Sequence, residues 1–483
     1  MEWSTEKRYL PYEKWSAKTL LELQSQASNS PYQLHYHIRP KSGLLNDPNG
    51  FSYFNNEWHV FYQSYPFGPV HGLKSWEHCV SKDLVHWKDL GTAIYPDTEL
   101  DSHGAYSGSA KVIDDKLFLM YTGNARDTEW VRHPHQMGAF MDKNNHIEKL
   151  PNSLIEQPQH TTDHFRDPQI LEHNGKYYCI LGAQDKATKT GKIALFEAKD
   201  IKGPWHDLGY IDFTNEEMGY MIECPNLVFI DEKPVLIFCP QGLDKAIVKY
   251  ENIYPNMVLV GDKFDFTSAQ FDSKHSIQNL DDGFDVYATQ PFNAPDGKVY
   301  ALSWVGLPDL TYPTDIENWS GCYSQVKELS LKDGQLIQKP VSTIKNLRQE
   351  EVNFTGELDT KNQYELKLEV AASQKTTLHI AANETNTESL KLHIDTANGE
   401  LILDRQNSGF TVNEKYGTER AIKLPQNTTL DLDIFVDHSL IEVFVNNGEH
   451  VLTARFFPKK GSNKLLLDEN IKFKGQYWEM ADI

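Results

Sequence analysis

The chain has 483 residues, of which 39% are hydrophobic and 12% aromatic, enough for packed cores in two or more domains. It carries 47 Lys and Arg against 68 Asp and Glu, a net charge of −21 at pH 7. That charge repels nucleic acids and anionic membranes, so neither is an expected partner, whereas a few basic residues around one pocket can still bind a small phosphorylated substrate.

The N-terminal segment, residues 1–30, is predicted to be helical. Good helix formers fill its second half, Ser16 is a candidate N-cap, and Trp15, Leu20 and Leu23 form a stripe for docking on the rest of the chain. The chain does not open with a basic stretch followed by an apolar one, and no apolar run approaches the ~18 residues that span a bilayer. We therefore expect a cytoplasmic protein.

After Pro31 the pattern becomes that of β-structure, with aromatic and β-branched residues alternating with polar ones. A short apolar run, a two-residue turn and a second apolar run recur five times, and successive turns are 57 to 65 residues apart. Asn, Asp and Gly in these turns tolerate the positive φ of tight hairpins. The turns are Asn55-Asn56, Asp114-Asp115, Asn174-Gly175, Asp231-Glu232 and Asp296-Gly297.

A period near sixty residues has room for about four short strands and their loops. The five units predict an all-β fold with a five-bladed β-propeller as catalytic domain over residues 31–345. A β-sandwich with regularly spaced hairpins is the alternative from the pattern alone. Residues 350–483 alternate apolar and polar positions, which predicts a C-terminal β-sandwich domain with a structural or oligomeric role. The oligomeric state itself is not predicted.

Three acidic residues occupy matched positions before the first strand of a repeat. They are Asp47 in the first repeat, Asp167 in the third and Glu223 in the fourth; Asp47 and Asp167 directly precede a proline, and Glu223 lies one place earlier relative to its proline. A single acid before a proline is usually a turn residue. Equivalent positions of a radial repeat lie on one ring, so these three are expected at the same end of the central channel. Two facing carboxyl groups are the minimum equipment for cleaving a glycosidic bond.

Aromatic and polar residues in the same loops favour a sugar site, because rings cover the C–H faces of a sugar while amides and hydroxyls bind its OH groups. Packing between blades is the alternative interpretation for each aromatic residue. The five cysteines are scattered, and no cluster has metal-ligand spacing, so no metal and no cofactor are expected. The candidate sugar contacts are Gln63, Trp76, Tyr106, Ser107 and Trp304.

Short motifs along nearly the whole chain resemble the signature set of glycoside hydrolase family 32 and appear in the order typical of that family. The resemblance implies a five-bladed propeller followed by a sandwich, as the repeats do. The motifs are Leu45-Asn46-Asp47-Pro48-Asn49-Gly50, Phe61-Tyr62-Gln63, Ser107-Gly108-Ser109, Phe165-Arg166-Asp167-Pro168, Glu223-Cys224-Pro225 and Val436-Asp437-x-Ser439-x-Ile441-Glu442-Val443-Phe444.

The resemblance implies a retaining β-fructofuranosidase with Asp47 as nucleophile and Glu223 as acid/base. Asp167 is implied to stabilise the transition state by binding fructose hydroxyls, with Arg166 beside it. Retention requires the carboxyl groups of Asp47 and Glu223 to lie about 5 Å apart. The positions that correspond to the walls of the fructose pocket are Asn46, Gln63, Ser107 and Trp304.

Two features need separate expectations. Leu44 and Leu45 stand where the family often has Trp-Met, so they are expected to line a reshaped pocket wall. Asp285, in a further family-like motif of the fifth repeat, is expected to support the site rather than to react.

Three other stretches resemble bacterial intracellular members that hydrolyse sucrose 6-phosphate to glucose 6-phosphate and fructose. They are His71-Gly72-Leu73-Lys74-Ser75-Trp76, Asp101-Ser102-His103-Gly104-Ala105-Tyr106 and Trp130-Val131-Arg132-His133-Pro134. Sucrose is then expected to be a substrate too. A phosphate on the leaving glucose needs cationic partners near the channel mouth, and an ordinary surface charge is the alternative for each candidate. The candidates are Lys74, Arg132 and His133.

Other functions remain open at this point. An invertase or short fructooligosaccharide hydrolase without a phosphate preference is the nearest alternative. An inverting arabinan-type glycosidase shares a propeller with three acids, but its carboxyl groups are more than ~6.5 Å apart. A non-catalytic sugar-binding propeller is the third alternative, against which the intact set of three acids argues.

Overall fold

The computed structural model describes residues 3–468 and 471–483 and consists mainly of antiparallel strands. Parts of two predictions, residues 1–2 of the N-terminal segment and residues 469–470 of the second domain, lie outside the described residues. In the described part, two α-helices cover Thr5–Arg8 and Ala17–Ser28. Short 3-10 helices lie at Tyr12–Lys14, Glu99–Asp101, Pro313–Glu317, Ser342–Leu347 and Glu414–Tyr416.

The longer helix begins where the sequence predicts. The hydroxyl of Ser16 accepts a hydrogen bond from the backbone N–H of Thr19 at 3.0 Å, which satisfies one of the free donors at the helix start. Trp15 stacks on Phe67 with ring centroids 4.6 Å apart, and Leu23 is buried. These contacts dock the helix on the β-structure.

Five sheets of four or five strands follow one another along residues 43–340. The first contains Gly43–Phe54, Glu57–Tyr65, Ser75–Ser81, Trp87–Ile94 and Trp319–Ser320. The second contains Ala105–Ile113, Lys116–Arg126, Arg132–Met141, Ile147–Lys149 and Ile155–Glu156. The third contains Thr161–His173, Lys176–Asp185, Gly191–Ala198 and His206–Tyr210. The fourth contains Met221–Ile230, Lys233–Gln241, Met257–Val260 and Gln278–Asn279, and the fifth Val286–Asn293, Val299–Val305, Cys322–Tyr323, Lys327–Lys332 and Gln335–Pro340. A separate ribbon pairs Lys263–Asp265 with Gln270–Asp272.

The first strand of each sheet, here called the inner strand, contacts the inner strands of two other sheets, and these contacts close into a ring. A buried polar side chain near the middle of each inner strand bonds to the backbone of the next one around. Asn49 accepts from the N–H of Gly108 at 3.1 Å, and Gln290 closes the circuit by accepting from Phe51 at 2.9 Å. We call this set the polar ring; its members are Asn49, Ser109, Gln169, Asn226 and Gln290.

The first and second strands of these sheets form the repeated hairpins that the sequence predicts. Positive φ angles occur at the turns, for example 50° at Asn55 and 49° at Asn174. The fifth hairpin differs from the prediction. Its strands end at Asn293 and resume at Val299, so Asp296-Gly297 belongs to a longer connection rather than to a two-residue turn.

Two six-stranded sheets form the C-terminal part. The first contains Arg348–Asn353, Gln363–Val370, Leu430–Asp437, Leu440–Val445, His450–Arg455 and Phe473–Met480. The second contains Glu357–Asp359, Lys375–Ala382, Leu390–Asp395, Glu400–Asp404, Glu419–Lys423 and Lys464–Leu467. Alternate residues of both sheets, such as Leu366 and Leu392, are fully buried in one shared core, which agrees with the predicted sandwich.

A buried charged cluster joins the segment before the first sheet to this C-terminal part. The imidazole of His37 lies 2.9 Å from Asp437 on one side and 2.9 Å from Glu442 on the other. Burial lowers the pKa of His37, but its hydrogen bonds to the two carboxylates outweigh burial and raise it to about 9. His37 is therefore a buried cation at neutral pH.

We expect His37→Ala to lower the free energy of unfolding by about 3–5 kcal/mol, because it leaves two buried carboxylates without their cation. A group whose pKa rises on folding stabilises fully below its unfolded pKa. The contribution of His37 is thus complete below pH 6.5 and is lost as the pH rises toward 9. Urea unfolding of both proteins across that pH range measures the two effects.

The matched control is His35→Ala. The side chain of His35 is 38% exposed and that of its partner Asp482 69% exposed, so the loss should stay below about 1 kcal/mol. Equal losses for the two variants, or a His37 effect that does not shrink with pH, would contradict the expectation.

Candidate active site

Each inner strand carries an irregularity in its pairing near its N-terminal end. The irregularities lie between Leu45 and Pro48, Ala105 and Gly108, Arg166 and Gln169, Glu223 and Asn226, and Tyr287 and Gln290. A β-bulge bends its strand and re-aims the side chains next to it. Because the bulges recur at matched positions, they direct one side chain from every sheet toward the same end of the ring. These side chains are Asp47, Ser107, Asp167, Glu223 and Tyr287.

Asp47 lies within a network of donors. The hydroxyl of Ser107 donates to its Oδ2 at 2.5 Å, and the amide of Asn46 donates to its Oδ1 at 3.2 Å. Burial raises the pKa of Asp47; the hydrogen bond from Ser107 opposes that shift, and the charge of Glu223 adds to it. The donors favour the ionised form of a carboxylate that burial would otherwise neutralise.

Asp167 faces Asp47. One carboxylate oxygen of each acid and the Sγ of Cys224 all lie within 4.8 Å of one another. The N–H of Cys224 donates to Asp167 at 2.9 Å, and Asp167 itself has the left-handed φ of 68° that the bulge imposes. Burial raises the pKa of Asp167 to about 7, although the charge of Arg166 opposes the shift.

Glu223 is held from both sides. The guanidinium of Arg166 donates to Oε1 at 2.7 Å, and the hydroxyl of Tyr287 donates to Oε2 at 2.6 Å. The side chain of Glu223 keeps 17% of its surface exposed, so it reaches solvent at the open end of the ring. The three predicted acids therefore meet at one place, in three different hydrogen-bonding environments.

Lys74 lies inside this site, which differs from the expected position at the channel mouth. It is only 2% exposed, and its Nζ donates to Oδ1 of Asn46 at 2.6 Å. The same Asn46 contacts Gln63 through its amide nitrogen. The strand Ser75–Ser81 begins directly after Lys74 and draws it inward, so the lysine orients the Asn46 amide beside Asp47.

The predicted aromatic contacts surround the site at different depths. Trp76 is fully buried and donates from Nε1 to the carbonyl of Tyr106 at 2.9 Å, so it supports the wall. Trp304 is 3% exposed, lies edge-on to Tyr287, and has a buried Nε1 without a hydrogen-bond partner among the described residues. Leu44 and Leu45 are buried at 4% and 0% exposure; Leu44 packs in a cluster with Tyr65 and Phe67, and Leu45 in the cluster that contains Tyr287 and Trp304.

The two other cation candidates separate. Arg132 begins the strand Arg132–Met141 at the rim of the site, and the charge of Arg166 acts on it. His133 is exposed and lies 3.0 Å from the carboxylate of Asp127 in its own hairpin. Consecutive strand residues point to opposite faces, so His133 does not share the face of Arg132.

Two residues of the site, Tyr287 and Cys224, were not predicted from the sequence. Tyr287 contacts Glu223 directly. The feature of the sequence that could have identified Tyr287 as a site residue is its spacing from the acids, although a tyrosine carries no carboxylate. Cys224 lies 3.4 Å from Asp47 through its Sγ and so bridges two acids. Asp285, expected to support the site rather than to react, bonds Arg405 of the C-terminal part at 2.8 Å.

By distance, Asp47, Asp167 and Cys224 could share a metal ion. Burial raises the pKa of the Cys224 thiol well above its ordinary value, which disfavours the thiolate form that binds metals. The geometry fits carboxylate chemistry better than a metal centre.

In the chain outside residues 1–2 and 469–470, neither helix combines the length and apolar character needed to cross a bilayer.

The site thus has the equipment of a glycosidase, and the family comparison agrees. The pattern described as Glycosyl hydrolases family 32 N-terminal domain matches residues 37–340, and that described as Glycosyl hydrolases family 32 C terminal matches residues 333–479. The chain belongs to glycosyl hydrolase family 32.

Particular relatives are similar over the whole length. Sucrose-6-phosphate hydrolase of Pediococcus pentosaceus is 47% identical, over 99% of this chain and 97% of the relative. The structure of sucrose-6-phosphate hydrolase from Lactobacillus gasseri is 56% identical with a TM-score of 0.96 and covers 100% of both chains. The Bombyx mori β-fructofuranosidase in complex with sucrose is 28% identical, with a TM-score of 0.84 over 96% of this chain and 97% of that one.

Proposed function

We propose that this protein hydrolyses the β-fructofuranosyl bond of sucrose 6-phosphate, giving glucose 6-phosphate and fructose, and that it also accepts sucrose. The observation that carries the proposal is the meeting of Asp47, Asp167 and Glu223 at one end of the ring of inner strands. The similarity to full-length sucrose-6-phosphate hydrolases supports the choice of substrate.

In this proposal Asp47 is the nucleophile. Its carboxylate attacks C2 of the fructosyl unit while the bond from C2 to the bridging oxygen breaks. Glu223 gives its proton to that oxygen, and glucose 6-phosphate leaves. Glu223 then takes a proton from water, the water oxygen attacks C2, and the ester to Asp47 breaks. The donors Ser107 and Asn46 support the role of Asp47 because they favour its ionised form.

Asp167 has a binding role in this scheme. Its carboxylate lies close to Asp47 and, within residues 3–468 and 471–483, forms no direct ion pair with an arginine, so it is available to accept hydrogen bonds from two fructose hydroxyls. Those bonds strengthen as positive charge develops on the sugar ring in the transition state. Arg166 is the positioning residue for Glu223.

The remaining parts of the proposal concern architecture. The five sheets of residues 43–340 are the blades of a five-bladed propeller, closed by the polar ring and by the parallel pairing of Trp319–Ser320 with the first inner strand. Residues 31–345 are the catalytic domain and residues 350–483 a second domain that braces it. A phosphorylated sugar is a substrate found inside cells, which supports a cytoplasmic location.

The first test compares kcat/KM for sucrose 6-phosphate and sucrose. We expect the phosphorylated sugar to be preferred at least about tenfold, because one charge-assisted hydrogen bond contributes roughly 1.5–3 kcal/mol. Equal values would reduce the proposal to an invertase without phosphate preference. No release of fructose from either sugar would overturn it.

Stereochemistry is tested separately. With methanol as acceptor, a double displacement gives methyl β-fructofuranoside, because two inversions at C2 restore the starting configuration. Nuclear magnetic resonance of the early product distinguishes it from the α-anomer. The α-anomer would favour an inverting glycosidase and remove the nucleophile role from Asp47.

A further inference from the structure

One hairpin of the second sheet carries two arginines at the rim of the site. Arg126 ends the strand Lys116–Arg126, Arg132 begins the next strand, and the two face each other as the last pair before the loop. The same sheet supplies Ser107 to Asp47, and its inner strand pairs with Gly123 near the end of the Arg126 strand. The arginine pair is therefore at the same end of the ring as the acids.

The charges of this pair are not neutralised by the protein. Among the residues that the structure describes, neither Arg126 nor Arg132 forms an ion pair with a carboxylate, and the Nε of each is buried without a hydrogen-bond partner. Trp130 orients Arg126. The Nη1 of Arg126 donates to the Trp130 carbonyl at 2.8 Å, and its guanidinium carbon lies 5.0 Å from the centre of the Trp130 indole. In the part of the chain that the structure describes, Nη2 of Arg126 has no hydrogen-bond partner and is available to a ligand.

The neighbours of Arg132 connect the pair to the chemistry. Burial and then the positive charge of Arg166 lower the pKa of Arg132, and Arg126 acts in the same direction. The opposing charge of Asp163 acts only through space. Arg166 is bonded to Glu223, so Arg132 lies on the side of the site where the proposed proton donor is held. Partly buried positive charges that repel one another cost free energy unless an anion joins them.

We propose that Arg126 and Arg132 bind the phosphate of the leaving sugar. This inference rests on the proposed function, since Glu223 protonates the bridging oxygen and the leaving sugar must extend from Glu223 past Arg166. Two guanidinium groups provide the forked donors that phosphate oxygens accept. Lys74 is not part of this subsite because it is bonded to Asn46 on the Asp47 side, and His133 is not because it pairs with Asp127.

The experiment compares Arg132→Gln and Arg126→Gln with the unchanged enzyme on both sugars. For each variant we expect kcat/KM for sucrose 6-phosphate to fall between about 10- and 150-fold, the range for one charge-assisted hydrogen bond. The value for sucrose should stay within about twofold. Lys116→Gln is the matched control, since it removes one charge from the opposite end of the same strand and should alter neither sugar.

Binding of glucose 6-phosphate, with glucose as the neutral reference, gives a readout that does not need catalysis. Calorimetry should show that both glutamine variants lose most of the preference for the phosphorylated sugar, and Arg132→Lys should recover part of it. Circular dichroism checks that each variant is folded. If one glutamine variant is unfolded, the unchanged enzyme is compared with the other glutamine variant and with Arg132→Lys.

The outcomes separate the two proposals. If the unchanged enzyme cleaves neither sugar, the proposed function fails, while the binding experiment still tests the arginines. If it prefers sucrose 6-phosphate but the variants lose activity on both sugars equally, or on neither, the arginine subsite is wrong and the function stands.

Discussion

Asp47→Asn is expected to reduce kcat for sucrose 6-phosphate by at least about 10⁴-fold, the scale seen when a covalent nucleophile is removed. The amide has nearly the same shape as the carboxylate, so the pocket and the affinity for substrate should be retained. It cannot form the ester with C2, and it loses the charge that Ser107 and Asn46 stabilise. A steady-state assay with single-turnover controls measures the loss.

A chemical rescue distinguishes this role from a structural one. In Asp47→Ala, azide enters the space of the missing carboxylate and attacks C2 while Glu223 protonates the leaving oxygen. The product is then a fructofuranosyl azide of inverted configuration. Ser107→Ala is the graded comparison, since it removes only one donor and should lose far less, by about 10- to 100-fold. More than about 1% residual activity in Asp47→Asn would remove the nucleophile role.

Glu223→Gln should lower kcat/KM for sucrose 6-phosphate by about 10²–10⁴-fold, the range for removal of a general acid. The glutamine keeps a carbonyl to accept from Arg166, and its size matches that of the glutamate. What it lacks is the transferable proton. The loss should therefore depend on the leaving group: with β-fructofuranosyl fluoride, which leaves without protonation, fructosyl transfer to Asp47 should be much less impaired.

Tyr287→Phe is the matched control for Glu223. It removes the hydroxyl that donates to Oε2 at 2.6 Å but leaves the carboxyl group in place. We expect about a tenfold loss, similar for the two leaving groups. Equal losses on sucrose 6-phosphate and the fluoride in Glu223→Gln would show that Glu223 positions the substrate without donating a proton.

The repeats are predictable from the sequence because hairpin turns have a strong local sequence signature. Asn55 and Asn174 adopt the positive φ that Asn tolerates, so their spacing predicted the order of the hairpins. The prediction of a two-residue turn in the fifth hairpin is wrong because Asp296-Gly297 has the composition of such a turn but lies in a longer connection. Composition does not encode loop length. The positions of the three acids followed from the repeat, since equivalent residues of a closed ring must meet.

Contacts between segments that are distant in the sequence are not predictable from local sequence signatures. Tyr287 occupies the fifth bulge, but a tyrosine there resembles ordinary packing until Glu223 is seen beside it. Lys74 was predicted at the mouth because its motif gives no information on burial, and the direction of a side chain before a strand depends on the tertiary structure. The bond between Asp285 and Arg405 is unpredictable for the same reason, because the two residues are 120 positions apart.

The parallel pairing of Gly43–Leu44 with Trp319–Ser320 has a consequence for synthesis on the ribosome. The strand that carries Asp47 emerges early, but its neighbour on the open edge is translated only after the fifth sheet has begun. Until then, a nascent chain exposes an unpaired edge next to an incomplete pocket, a state prone to association with other chains. The enzyme should therefore acquire activity late and abruptly during translation, and it should depend on chaperones more than a protein of similar size with local contacts.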